Sequence, residues 1–191
     1  SQIHRQLGSG LSMPVGFKNR TDGNVQVAVD AVRAAGESHA FAGIDPSGTP
    51  AILHTRGNAD CHIILRGGKG RPNYDAASVA AALELLDAAR LPKRLMIDLS
   101  HDNSGKDPER QPAVAADVGA QIAGGNDAIV GVMLESFLVA GRQDLQPGAE
   151  LCYGQSITDG CIAWDTTVEV LEGLAASVRD RKATRAQSAP R

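Results

Sequence analysis

Apolar residues recur along the chain in two alternating rhythms. Short runs rich in aliphatic and β-branched residues stand at 14–17, 61–65, 94–100 and 128–134. Between and after them, apolar positions fall three and four apart, the spacing of one helix face: Val25, Ala28, Val29 and Val32; Val79, Leu83 and Leu86; Val114, Val118 and Ile122; Val168, Leu171, Leu174 and Val178. A strand run followed by a longer amphipathic helix, four times over, predicts an α/β fold with a parallel sheet, because parallel neighbours need a long crossover and a helix fills it.

Punctuation agrees with this reading. Asp22 or Asn24 and Asp75 are suited to cap helix N-termini, and Gly36 and the Gly124-Gly125 pair to stop helices. Runs at 39–41 and 51–55 flank the turn-forming Asp45-Pro46-Ser47-Gly48, which predicts a β-hairpin, about 39–56, inserted beside the main sheet. Residues 1–11 read as the tail of a helix already under way, and with no initiating methionine they suggest chain upstream. Residues 182–191 are polar and carry no apolar stripe, so a frayed tail is expected beyond a domain at 1–181.

Composition narrows the function classes. With 191 residues, 42% hydrophobic and 21% charged, the chain is suited to one globular domain. A net charge of -3 gives no basic footprint for nucleic acid or for an anionic membrane surface. The apolar runs fall short of the roughly 20 residues that span a bilayer and no signal peptide opens the chain, so a cytoplasmic protein acting on small molecules is expected. Cys61, Cys152 and Cys161 are odd in number and lack CxxC spacing, which predicts reduced, buried and inert thiols.

The chemistry stands at the ends of the strand runs. Lys18, Arg66, His101 and Glu135 each follow one of the four runs, and parallel strands send their C-terminal ends to a single face. Arg66 precedes Gly67 and Gly68, where missing side chains would let backbone N–H groups approach a phosphate or carboxylate. His101, Glu135 and Asp159 together make a plausible donor set for a divalent ion. Taken singly, Lys18 and Arg66 also read as solvated loop charges, His101 as a structural histidine and Asp159 as a helix cap.

Longer motifs sharpen the choice. Ser1-Gln2-Ile3-His4-Arg5, Pro14-Val15-Gly16-Phe17-Lys18-Asn19 with Thr21-Asp22-Gly23, Gly57-Asn58, and Asp60-Cys61-His62-Ile63-Ile64-Leu65-Arg66-Gly67-Gly68-Lys69 are followed by Met96-Ile97-Asp98-Leu99-Ser100-His101 with Asn103-Ser104. Then come Gln121-Ile122-Ala123-Gly124-Gly125, Gly131-Val132-Met133-Leu134-Glu135-Ser136 and Tyr153-Gly154-Gln155-Ser156-Ile157-Thr158-Asp159 with Cys161. In this order they resemble the class I 3-deoxy-D-arabino-heptulosonate-7-phosphate (DAHP) synthases over nearly the whole chain. The resemblance implies the second half of a (β/α)8 TIM barrel, strands five to eight, with the hairpin inserted. It implies condensation of phosphoenolpyruvate with erythrose 4-phosphate, the first step toward chorismate and aromatic amino acids, by a homo-oligomer when the chain is complete.

By the same resemblance Lys18 and Arg66 contact phosphoenolpyruvate, and His101, Glu135 and Asp159 bind manganese, iron or zinc, Asp159 also facing substrate. Lys18, Arg66 and His101 are then the catalytic candidates. Cys61 is not the family's metal cysteine; that ligand, a Lys-Pro-Arg-Thr motif and a further substrate arginine belong to an N-terminal half not in this sequence. Leu7, Leu11, Ser12, Phe41, Gly43 and Leu53 correspond to a feedback pocket for an aromatic amino acid, and Gly43, by leaving room for a phenol hydroxyl, suggests tyrosine. Two rival readings stand beside this one: an inactive fragment that binds at most phosphate or metal, and the related synthase of an eight-carbon sugar acid phosphate, whose motifs match less closely.

Overall fold

A computed structural model describes residues 1–148 and 150–188. In chain order the elements are α1 (Gln2–Ser9), β1 (Gly16–Lys18), α2 (Gln26–Gly36), β2 (Ala40–Ile44), β3 (Pro50–His54), β4 (His62–Leu65), α3 (Ala76–Ala88) and β5 (Leu95–Asp98). There follow α4 (His101–Ser104), a 3-10 turn at Pro108–Arg110, α5 (Gln111–Ala123), β6 (Ile129–Met133), β7 (Val139–Arg142), β8 (Gln155–Ser156) and α6 (Trp164–Ser188). The four predicted strand runs become β1, β4, β5 and β6, one parallel sheet in the order β1-β4-β5-β6. Its register pairs Phe17 with Ile63, Ile64 with Met96 and Ile97 with Val132, so all four strands end on the same side.

The core explains the pattern. Ile63, Leu65, Leu95, Ile97 and Leu99 are fully buried and pack against Val29 of α2, Val79 and Leu86 of α3 and Val118 of α5. Strands covered on both faces read as unbroken apolar runs, as β4 does. Each such side chain contributes roughly 1.5–3 kcal/mol by leaving water. Asp75 caps α3 as predicted, its Oδ1 accepting from the Ser78 N–H at 3.0 Å and its Oδ2 from the Ser78 hydroxyl at 2.7 Å. At α2 the nearer cap is Asn24, whose Oδ1 accepts from Val27 N–H at 3.4 Å, while Asp22 closes the preceding turn onto Asn24 N–H. β1 and β6 each have one strand partner within the sheet.

The inserted hairpin is present as β2 and β3, antiparallel, with Phe41 opposite Leu53 and Gly43 opposite Ala51. Those four residues form its half-buried face, and Ile44 and Ile52 point to the exposed one. Three expectations change. The segment 182–188, read as a frayed tail, continues α6, because Lys182, Ala183, Arg185 and Gln187 are good helix formers and Arg181 and Arg185 bind Asn126 O at 2.9 Å and Asp127 at 2.6 Å; 189–191 lie outside the described residues. Cys61 and Cys161 are buried, but Cys152 is exposed, on a loop before β8. The short strands β7 and β8 and the one-turn α4 were not anticipated. Among the described residues no helix is long and apolar enough to cross a membrane.

Candidate active site

The end of β5 carries a cluster of polar groups around Asp98. Asp98 closes the strand with its side chain fully buried. Its Oδ2 accepts from Lys18 Nζ at 2.8 Å and lies 2.8 Å from His101 Nδ1, and its Oδ1 accepts from the Ser100 N–H at 2.9 Å and hydroxyl at 2.6 Å. Burial is the largest influence on this carboxyl and pushes its pKa up, but the bonds from Lys18 and Ser100 and the charges of Lys18 and His101 outweigh it, so the pKa falls below its ordinary value.

That cluster fixes the His101 ring. Nδ1 also lies 2.8 Å from Ser100 Oγ. The Ser100 hydroxyl gives its one proton to Asp98, so both neighbours of Nδ1 are acceptors and the proton belongs on Nδ1. In the neutral ring, Nε2 is then the bare nitrogen, and it faces Glu135 Oε1 at 3.7 Å. The backbone contributes as well: His101 has φ +51, a left-handed conformation that side chains adopt at a cost and that collects at functional sites.

Glu135 follows β6 and is pinned through its main chain. Its N–H donates to Gln111 Oε1 at 2.8 Å, and its carbonyl accepts from Gln111 Nε2 and from Ile162 N–H, each at 3.0 Å. Burial chiefly, with the negative charges of Asp159 and Asp98, raises its carboxyl pKa against the opposing pull of His101. Asp159, exposed after β8, completes the group: one ligand atom from each of His101, Glu135 and Asp159 lies within 4.8 Å of the others. An imidazole nitrogen and two mutually repelling carboxylates fit a divalent cation, which would relieve that repulsion.

Arg66, His101, Lys106, Gln111, Glu135 and Asp159 share one cavity of 240 Å³ with Ser100, Ser104, Pro108 and Gly160. Four of the five predicted catalytic and metal residues thus meet there. Lys18 instead lines the neighbouring 510 Å³ cleft along β1 and joins the site through Asp98. The expected role of Gly67 and Gly68 as open phosphate donors is not borne out. Gly67 N–H goes to Asn73 Oδ1 at 2.7 Å and Gly68 N–H to Arg71 O at 2.9 Å. Their glycines serve close packing instead: a Cβ on Gly68 would lie 2.2 Å from Gly23 N.

Sequence reasoning missed Asp98, Asn19, Asn103 and Gln111 as site-building residues. Asn19 accepts from Arg66 N–H at 2.8 Å and donates to Gly67 O at 2.9 Å, and Asn103 donates to Leu65 O at 3.1 Å and Asp98 O at 2.7 Å. Asp98, Asn19 and Asn103 sat inside motifs already quoted; Gln111 was signalled only by a polar residue opening an apolar helix face.

The effector candidates are less gathered. Leu7 and Leu11 line the 510 Å³ cleft, while Phe41, Gly43 and Leu53 face inward on the hairpin and Ser12 is exposed. Gly43 does not leave a void: a Cβ there would lie 2.4 Å from Leu53 Cδ1, so the glycine lets Leu53 lie across the strand.

The parallel α/β sheet thus ends in a cavity lined by two cations and by three residues that could hold a metal ion. Residues 1–172 match the DAHP synthetase I family, and the chain belongs to that family. It is 55% identical over 190 residues to the phospho-2-dehydro-3-deoxyheptonate aldolase of Corynebacterium glutamicum, covering 96% of this chain and 51% of that protein. It is 56% identical over 182 residues to the Phe-sensitive enzyme of that name from Escherichia coli K12, covering 95% and 52%. The solved structure of the Francisella tularensis aldolase superposes with a TM-score of 0.89 at 49% identity, over 95% of this chain and 52% of that one. The chain therefore spans about half the length of the curated relatives it matches. The names of relatives carry sensitivity to phenylalanine, tyrosine or tryptophan.

Proposed function

We propose that this chain is the C-terminal half of a DAHP synthase barrel, contributing strands five to eight, at 1–181, of a cytoplasmic homo-oligomer. The reaction is condensation of phosphoenolpyruvate with erythrose 4-phosphate: C3 of the enol attacks the aldehyde carbon, water adds at C2, and phosphate leaves. The observation that carries this reading is the grouping of His101, Glu135 and Asp159 beside Arg66 in one cavity. The three residues would hold manganese, iron or zinc, which supplies Lewis-acid polarisation of the aldehyde.

The chain's own residues do the rest. Arg66 offers a planar fork of donors to the phosphoenolpyruvate anion. Lys18 adds a second positive charge, set in place by Asp98, which also fixes the His101 ring with Nε2 toward Glu135. Gln111 holds the Glu135 backbone from both sides. These are positioning and electrostatic roles, effective because the groups are fixed before substrate arrives.

The test is turnover by the protein at its natural length: phosphoenolpyruvate consumed and phosphate released only when erythrose 4-phosphate and a divalent ion are both present. Loss with a chelator and recovery on adding back one metal names that metal; turnover indifferent to chelation removes the triad's assigned role. The 191-residue chain alone is expected to be inactive, since β1 and β6 end the sheet with free edges. Leu7, Leu11, Ser12, Phe41, Gly43 and Leu53 form the effector region for an aromatic amino acid, and with Leu53 lying across Gly43 no space there favours tyrosine over phenylalanine. Inhibition assays with all three aromatic amino acids, repeated on Gly43→Ser, which must displace Leu53, decide it.

A further inference from the structure

We propose that Lys106 is a further anion-binding cation of this site, beyond Arg66 and Lys18, seated with Arg66 to receive a phosphomonoester group; this rests on the cavity being the condensation site. Lys106 lines the same cavity as Arg66 and the metal-ligand group. Among the described residues neither Arg66 nor Lys106 forms an ion pair, although Asp102 and Asp107 are neighbours of Lys106 in sequence. The Asp107 carboxylate is spent on the Glu109 N–H at 3.0 Å.

The loop that carries Lys106 is built to hold it in place. Its N–H donates to His101 O at 2.6 Å, closing the turn that begins at the candidate ligand. It follows Gly105, and both residues are left-handed, Gly105 at φ +67 and Lys106 at φ +61. Lysine gains nothing from that conformation, in which glycine or asparagine is more at ease. The exposed Lys69 and Arg90 are left-handed too, so what sets Lys106 apart is that it lines the cavity with Arg66.

Charge balance says what the seat takes. The cavity holds two cations, Arg66 and Lys106, against two carboxylates, Glu135 and Asp159. With a divalent ion on the carboxylates and His101 neutral, as a ligand must be, two positive charges remain uncompensated. A phosphomonoester carries about −1.5 to −2 near neutral pH, which matches. Both proposed substrates bear such a group.

The experiment uses the protein at its natural length with manganese present. Inorganic phosphate, titrated by calorimetry, is expected to bind about tenfold more weakly to Lys106→Gln, whereas Lys106→Arg stays within about threefold. In turnover, a rise in KM confined to phosphoenolpyruvate puts the group on that substrate, and one confined to erythrose 4-phosphate puts it there; either result supports the seat. Unchanged phosphate affinity, or unchanged KM for both substrates, overturns it and leaves Lys106 a solvated loop charge. A protein that binds phosphate through Lys106 but condenses neither substrate sinks the condensation reading alone.

Discussion

On one side of the candidate metal-ligand group His101 is held by a buried carboxylate, a serine hydroxyl and the end of a core strand, while on the other Asp159 stands exposed after β8, the shortest strand among the described residues. The first side is finished before any ligand arrives. The second is set by main-chain pairing around it, Ser136 with Ile162 and Gly141 with Cys161, and by the Cys161 thiol, which donates to Asp159 O at 3.6 Å. The difference separates residues that build a site from residues that complete it: changes on the β5 side should cost stability and function together, and changes at Asp159 function alone.

The largest effect is expected at Asp98. Asp98→Ala removes the shared acceptor of Lys18, Ser100 and His101 and should destabilise by about 3 kcal/mol, the lower end for a broken buried pair because Lys18 still reaches water. Urea denaturation measures it, and a loss below 1 kcal/mol would erase the contrast between the two sides. The same variant should weaken zinc or manganese binding roughly 10–100-fold, as loss of a ligand's orienting partner does. Gln111→Leu strands the Glu135 N–H, while the carbonyl keeps Ile162 N–H, and should cost about 2 kcal/mol in the same measurement.

Asp75 supplies a reference far from the site. Asp75→Ala should cost about 1 kcal/mol at neutral pH. The Ser78 hydroxyl first, then its N–H, holds the Asp75 carboxyl below its ordinary value of 3.8. A depressed folded pKa means stabilisation present above that ordinary value and lost as pH falls through the folded one, so the gap between variant and parent should close in strong acid. A gap that stays constant to low pH would mean the cap is not acting through its charge. Smallest of all, Asp159→Asn should change stability by less than about 0.5 kcal/mol, as exposed positions do. Divalent-ion titration should nonetheless show binding at least tenfold weaker; equal binding would remove Asp159 from the group.

What could be read beforehand follows the same division. The four parallel strands were legible because a strand buried on both faces leaves an apolar run bounded by turns, as at 61–65. β7 and β8 left no such mark, being half exposed and interrupted by Gly141. His101 and Glu135 were marked by their places after strand runs, but their grouping with Asp159 leaned on motif resemblance, since separations of 34 and 24 residues say nothing of a 4.8 Å approach. Asp98 was hidden in plain view: an acidic residue at the end of an apolar run looks like the start of a loop, and only burial reveals it as the acceptor around which Lys18 and His101 are arranged. Gly67 and Gly68 misled because glycine permits a ligand's approach and a neighbouring backbone's approach equally well.

The left-handed turn at His101 sets heat resistance against usefulness at a single position. Glycine would relax into that conformation and could raise the melting temperature while deleting the imidazole. A laboratory lineage selected for robustness alone would therefore drift toward glycine at 101, and one selected for divalent-ion capture would keep the strained histidine and gather its stabilising changes elsewhere.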